Sequence, residues 1–306
     1  MIRHQLALIK REIWEHRSIF VTPLAIASIV TLGSLAALIF ASGFAEELHM
    51  AIFGATNIVG DSGRTAVLTG HFVGTSWLFL VALAILTVFY SLDSLYAERK
   101  DKSILFWRSL PVTDAETVIS KLITAVVVIP IVAVITIVAT HIVNLIVTSI
   151  WVSAKGGDAF LLIWGSVALL DNWLAVLIVV LATAIWMSPF IGWFLLVSAF
   201  AKRSPLPMAF LPLVLIPLLE GIFLHSRFFA TAVFGRGTSM PLFHGINMDA
   251  IFDKSYQLQV NEEVISLLLY LDVGQFVLSP ATWAGVVVCG LLTTGAIYIR
   301  RYRGES

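Results

Sequence analysis

Charge is scarce in this chain. Of its 306 residues only 12% are Asp, Glu, Lys or Arg, about half the share of an ordinary soluble domain. With 59% hydrophobic residues and a mean hydropathy of +0.95, the chain lacks the polar groups to cover a soluble core. This excludes a soluble globular protein and a disordered one. Nineteen basic and nineteen acidic residues cancel, so no basic excess points to nucleic acid. The one cysteine, Cys289, excludes a disulfide framework and a cysteine-based zinc site. It lies in an apolar run, as a small packing residue would. No G-x-x-x-x-G-K-[ST] phosphate cradle occurs, because Gly54, Gly60, Gly63, Gly156 and Gly157 lack the following Lys-Ser/Thr pair. ATP hydrolysis is therefore not expected within these residues, and no cofactor or catalytic residue is assigned to them. No H-E-x-x-H occurs either, so no metal site is expected.

What the chain has is long uncharged runs. A membrane span takes about 20 apolar residues. Arg17 to Glu46 encloses 28 residues without Asp, Glu, Lys or Arg, Arg64 to Asp93 another 28, Lys121 to Lys155 33, Asp171 to Lys202 30, Arg203 to Glu220 16 and Asp272 to Arg300 27. These predict an all-α polytopic membrane protein, one transmembrane domain over residues 1–306. Its six transmembrane helices fall at about 18–43, 66–92, 122–150, 172–200, 204–224 and 280–299. The fifth carries Pro205, Pro207, Pro212 and Pro217, tolerable where neighbours satisfy the freed carbonyls. Pro189 predicts a kink in the fourth. Ala159 to Leu170 is too short for a seventh span and suits an interfacial or re-entrant piece.

Lys and Arg placement sets orientation. With the first residues inside, the inner segments hold four (1–17), five (93–121), two (202–203) and three (300–303), fourteen in all, against five outside: Arg64, Lys155, Arg227, Arg236 and Lys254. Both ends of the chain are therefore expected in the cytoplasm. The first apolar stretch is too long for a signal-peptide core, with no clear cleavage site after it. Residues 1–17 read as an amphipathic interfacial helix, with Ile2, Leu6, Ile9, Ile13 and Trp14 opposite Arg3, Lys10, Arg11 and Glu15. The alternative is a charged lead-in to the first span. Residues 225–279 form the largest outer segment, in which Val260 to Leu271 has the pattern of an amphipathic helix on the outer membrane face.

Residues 95–116 are the most informative inner segment. Ten of the residues from Asp93 to Lys121 are charged, yet Ile104 to Trp107 is a bulky apolar run. Apolar groups rimmed by charge mark a contact surface. Pro111 breaks the helix, and Thr113 with Glu116 makes a capping box that starts the next. The segment reads as a rigid knuckle for a partner. The other reading, an interfacial loop whose Phe106 and Trp107 dip into the headgroups, stands beside it.

Glu98, Arg99, Ser109, Leu110, Pro111, Val112, Ser120 and Lys121 together resemble the "ER…S…SLPV…SK" segment of permease subunits of ABC transporters of the second exporter class (type V, ABCG-like). Leu278-Ser279-Pro280, leading into a last span headed by Trp283 and ended by Arg300-Arg301, adds to the likeness. The resemblance implies a membrane subunit that moves substrate outward, in the plasma (bacterial inner) membrane. ATP and Mg would be bound by a separate ATPase, present in two copies beneath a permease dimer, homo- or heteromeric. It implies that the knuckle is a coupling helix, with Glu98, Arg99, Ile104, Phe106, Trp107, Arg108, Ser109, Leu110 and Pro111 as ATPase-coupling residues. It also implies a helical re-entrant hairpin before the sixth span.

Two further patterns keep two readings each. Thr136, Thr140, Asn144 and Thr148 recur every four residues in the third span, with His141 beside them. They either line a transport path or bond neighbouring helices. Gly33, Ala37 and Ala41 form a small-residue ridge on the first span, for dimer packing or packing within the chain. Glu220 lies at the outer edge of the fifth span, as an interface anchor or a substrate contact. Alternative functions are a stand-alone secondary carrier and a non-transporting sensor or scaffold. The carrier would want ion-coupling charges inside the spans, and Glu220 alone approaches that.

Overall fold

The computed structural model describes residues 2–53, 60–103, 111–243 and 266–303, and there the chain is all helical. Ile104, Phe106, Trp107, Arg108, Ser109 and Leu110 of the expected coupling segment lie outside the described residues, as does the first half of Val260 to Leu271.

Helix α1 (Ile2–Glu15) ends at His16 and Arg17, and α2 (Ser18–Phe40) follows. Alanine at position 41 breaks the helix at φ −98° and ψ 88°, and α3 (Ser42–Phe53) continues beyond it. The sequence reading missed α3, because its apolar residues merge with those of the first span. Helix α4 (Gly60–Lys100) has 41 residues. At 1.5 Å per residue it is about 60 Å long, twice a hydrocarbon core, so it overruns the predicted span at both ends. Helix α5 (Asp114–Ile123) passes through a widened turn, Thr124–Val128, into α6 (Ile129–Ala154). The widening has a cause: Pro130 has no N–H for the carbonyl one turn back, and the helix is rebuilt just before it.

A short α7 (Ala159–Leu162), capped by the Asp158 carboxylate on the amides of Phe160 and Leu161, leads into α8 (Leu169–Trp186). The expected kink falls at Met187, two residues before Pro189, and α9 (Ser188–Phe200) follows. The predicted fourth span thus straddles a break. Helix α10 (Pro205–Leu219) opens on Pro205, where the missing N–H costs nothing, and ends in a widened turn, Glu220–Leu224. Then come α11 (Phe228–Phe234), a single 3-10 turn at Leu267–Tyr270, α12 (Val273–Leu278) and α13 (Pro280–Arg303).

Six stretches are long and apolar enough to cross a membrane: Ser18–Phe40, Val67–Lys100, Asp114–Ala154, Ala159–Trp186, Pro205–Leu224 and Pro280–Tyr302. The chain is a multi-pass membrane protein. Its tightest packing joins α9 to α13. A Cβ on Gly192 would stand 3.1 Å from the Cys289 backbone, and one on Gly295 would stand 3.2 Å from Leu196. Position 192 meets 289 and 196 meets 295, so the two helices run parallel. One core, built on Ile19, Tyr90, Leu95, Val118, Ile129, Leu195 and Ala296, lies at the end of the bundle that holds α1 and the last turns of α13. We call this end proximal. A second core, Ile52, Leu68, Phe72, Leu145, Val152 and Ile163, lies at the distal end.

Candidate functional site

The proximal end holds a buried knot of charge. Helix α1 turns Leu8 and Glu12 inward and leaves Leu6 and Trp14 exposed. Glu12, Glu98, Lys121 and Arg300 are 0%, 5%, 0% and 3% exposed. They come from α1, α4, α5 and α13. Lys121 Nζ lies 2.8 Å from Glu12 Oε1 and 3.1 Å from Glu98 Oε1. Arg300 donates from Nη1 to Glu98 Oε2 at 2.5 Å and from Nε to Asp114 Oδ1 at 2.9 Å. Arg11 adds a bond from Nη2 to Glu98 Oε1 at 2.9 Å, and the Tyr90 hydroxyl donates to Glu12 Oε2 at 3.0 Å. Each buried ion costs several kcal/mol to desolvate, and only close opposite charges with further hydrogen bonds offset that. Here the offset ties four helices to one another.

Two groups outside the spans feel the knot. Burial lowers the Arg11 guanidinium, but its bond to Glu15 and the charges of Glu98 and Glu12 outweigh this and hold it above its ordinary range. Burial pushes the His16 imidazole down against the pull of Glu12.

The knot brackets the segment expected to meet a partner. Glu98 lies at the end of α4 that leads into it, and Asp114 opens the helix that leaves it. Pro111 is exposed. The predicted capping box is present: the Glu116 amide donates to Thr113 Oγ1 at 3.2 Å, and the Thr113 amide to Glu116 Oε2 at 2.9 Å. A groove of about 530 Å³ lies beside it, lined by Val112, Thr113, Asp114, Ile297, Arg300 and Arg301. Arg99 turns away from the knot and donates to the carbonyls of Ser198 and Ala201 at 2.6 and 2.9 Å. A cation there suits the negative end of α9. Glu98 and Arg99 thus spend their charges on the chain's own helices. The sequence reading missed Glu12, which sits on the border between the faces of α1. The cue was a lone lysine, Lys121, at the mouth of the longest uncharged run.

The third-span residues divide. Thr136 and Thr140 are buried, and each hydroxyl donates to the carbonyl four residues back, at 2.8 and 2.7 Å. Both line a groove of about 450 Å³ against α2, with Ser28 and Thr31. His141 instead meets α4, Asn144 is buried, and Thr148 is half-buried. Gly33 is exposed and a Cβ added there would meet nothing within 4 Å, so packing within the chain does not use it. Glu220 caps α11: its carboxylate accepts from Ser226 Oγ and from the amides of Phe229 and Ala230. Arg236 bridges the break after α8, donating to the Trp186 carbonyl at 2.6 Å and to that of Ala281 at 2.7 Å while stacking on the Trp186 ring. Among the described residues no group of three His, Cys, Asp or Glu side chains is placed to hold a metal ion.

Residues 67–234, more than half of the chain, match the family model described as ABC-2 family transporter protein. The matched stretch runs from within α4, through the segment between α4 and α5, to the end of α11. No curated protein and no solved structure matches the chain.

Proposed function

The chain belongs to the ABC-2 transporter family and is a membrane subunit of an ABC transporter; from that premise we propose that it is the permease of an ATP-driven exporter. A separate ATPase, in two copies, docks on the coupling segment and hydrolyses ATP with Mg. Both ends of the chain face the cytoplasm and α1 lies in the inner leaflet of the plasma membrane. Two permease chains pair above the ATPases, with Gly33, Ala37 and Ala41 at the seam between them. One observation carries this reading beyond the family match. The coupling segment enters and leaves the membrane domain through Glu98 and Asp114, and both carboxylates hold Arg300 of the last span. A push on the segment therefore reaches α4, α5 and α13 together, and α1 through Lys121 and Arg11.

The test is co-purification with a candidate ABC ATPase subunit from the same source. The double variant Phe106→Ala/Trp107→Ala should lose the ATPase while the permease stays folded. The loss of even one aromatic hot spot of about 2 kcal/mol weakens association roughly thirtyfold. Normal association of the double variant would move the interface elsewhere. Cysteines at Ser62 and Ser255 should label from outside, and cysteines at Ser103 and Ser306 should not.

A further inference from the structure

One buried cluster has no part in that mechanism. His141 and Asn144 stand three residues apart on α6 and share a face; they are 1% and 4% exposed. His141 Nε2 lies 2.9 Å from Thr75 Oγ1 and 3.4 Å from Ser76 Oγ, both on α4, and the Phe72 ring lies 4.6 Å from the imidazole. The Thr75 hydroxyl has one hydrogen, and the carbonyls of His71 and Phe72 lie 2.9 and 3.0 Å from it. With that hydrogen on a carbonyl, Thr75 only accepts from the imidazole. The proton then sits on Nε2, and Nδ1 is a bare acceptor.

His141 Nδ1 has no hydrogen-bond partner among the described residues, and neither has Asn144 Oδ1, Asn144 Nδ2 or Thr69 Oγ1. An imidazole acceptor and a complete carboxamide are thus held ready in an apolar setting, where unpaired polar atoms are costly. Thr140, next to His141 and one turn from Asn144, lines the groove between α2 and α6. The hydroxyls of Thr136, Thr140 and Ser28 are spent on their own helices, so the groove, lined by Thr140 but by neither His141 nor Asn144, offers a largely apolar wall. No Asp, Glu, Lys or Arg occurs between Arg64 and Asp93 or between Lys121 and Lys155. A charged ligand would meet no counter-charge within these stretches of α4 and α6.

We propose that His141 and Asn144 form a recognition site for a neutral head group bearing both a hydrogen-bond donor and an acceptor, such as a primary amide, on an amphiphile whose chain lies in the α2–α6 groove. The donor meets His141 Nδ1, and the Asn144 amide meets the acceptor. Calling this ligand a substrate rests on the permease reading; the binding itself does not.

The test uses the full chain in lipid nanodiscs with three probes: decanamide, N,N-dimethyldecanamide and decyltrimethylammonium. Binding is read by calorimetry and by the ¹⁵N shift of the His141 ring. Decanamide should bind at least about tenfold tighter than the other two, the worth of one hydrogen bond to a buried partner, and should move the Nδ1 signal. Asn144→Leu and His141→Phe should lose that preference; should either fail to fold, the wild-type probe ranking still decides. Equal binding of the three probes, or a preference kept in the variants, overturns the proposal. So does an Nδ1 already hydrogen-bonded without ligand and unmoved by decanamide, which would assign the site to ordered water. Failure of the wild-type chain to associate with an ATPase, with decanamide binding intact, would sink the permease reading and leave this site standing.

Discussion

The proximal knot and the distal polar seam are built on the same continuous pair of helices, α4 and α5–α6, in the same apolar surroundings. Both oxygens of Glu12 and both of Glu98 have partners, whereas Asn144 has none among the described residues. The difference is one of saturation. A fully paired buried cluster fixes one geometry and carries force between helices. A half-paired one keeps bonding capacity for another molecule.

The largest expected effect separates the two regions by stability. Lys121→Met strips Glu12 of its closest cation and should cost about 3–5 kcal/mol in unfolding. Glu12→Gln combined with Lys121→Met should recover most of that, because no lone buried charge remains. Equal losses in the single and double variants would mean the knot is not a charge-paired unit. Next is Gly192→Val, where added carbons meet the Cys289 backbone; overpacking there should cost about 1–3 kcal/mol, read by thermal unfolding. At the seam the sign reverses. Asn144→Leu removes an unpaired buried amide and should leave stability unchanged or raise it by about 1 kcal/mol. A clear loss would show that Asn144 bonds a neighbouring helix. The smallest effect is at His16, whose folded pKa is depressed by burial. Its contribution is present above the unfolded pKa of about 6.5 and is lost as pH falls below it. The hydrogen-exchange protection factors of α1, corrected for the intrinsic pH dependence of exchange, should therefore fall as pH drops below about 6.5 in the wild type, and not in His16→Gln.

What was legible in the sequence follows the range of the physics. Uncharged runs show where a chain can cross a membrane, and six such helices are present. The capping box at Thr113 and the kink near Pro189 are local, decided within a few residues. The knot is not local. Glu12 meets Lys121 across 109 positions, and Glu98 meets Arg300 across 202. Amphipathicity sorted the charges of α1 onto a solvent face and gave Glu12 no place. The four-residue spacing in the third span groups Thr136, Thr140, Asn144 and Thr148, but spacing cannot tell that Thr136 and Thr140 satisfy themselves while Asn144 does not. Helix α3 was hidden because nothing polar marks the break at Ala41.

The most direct measurement of the account is substrate moved per ATP hydrolysed by the reconstituted complex carrying Glu98→Gln/Arg300→Gln, compared with wild type at equal amounts of bound ATPase. This pair severs α4 from the last span without touching the coupling segment's apolar run. In the proposed mechanism the knot carries the push on the coupling segment, so the ATPase should stay bound and hydrolyse ATP while substrate moved per ATP falls at least about tenfold, a loss of roughly 1.4 kcal/mol of coupling. An unchanged ratio of transport to hydrolysis in this variant would contradict it.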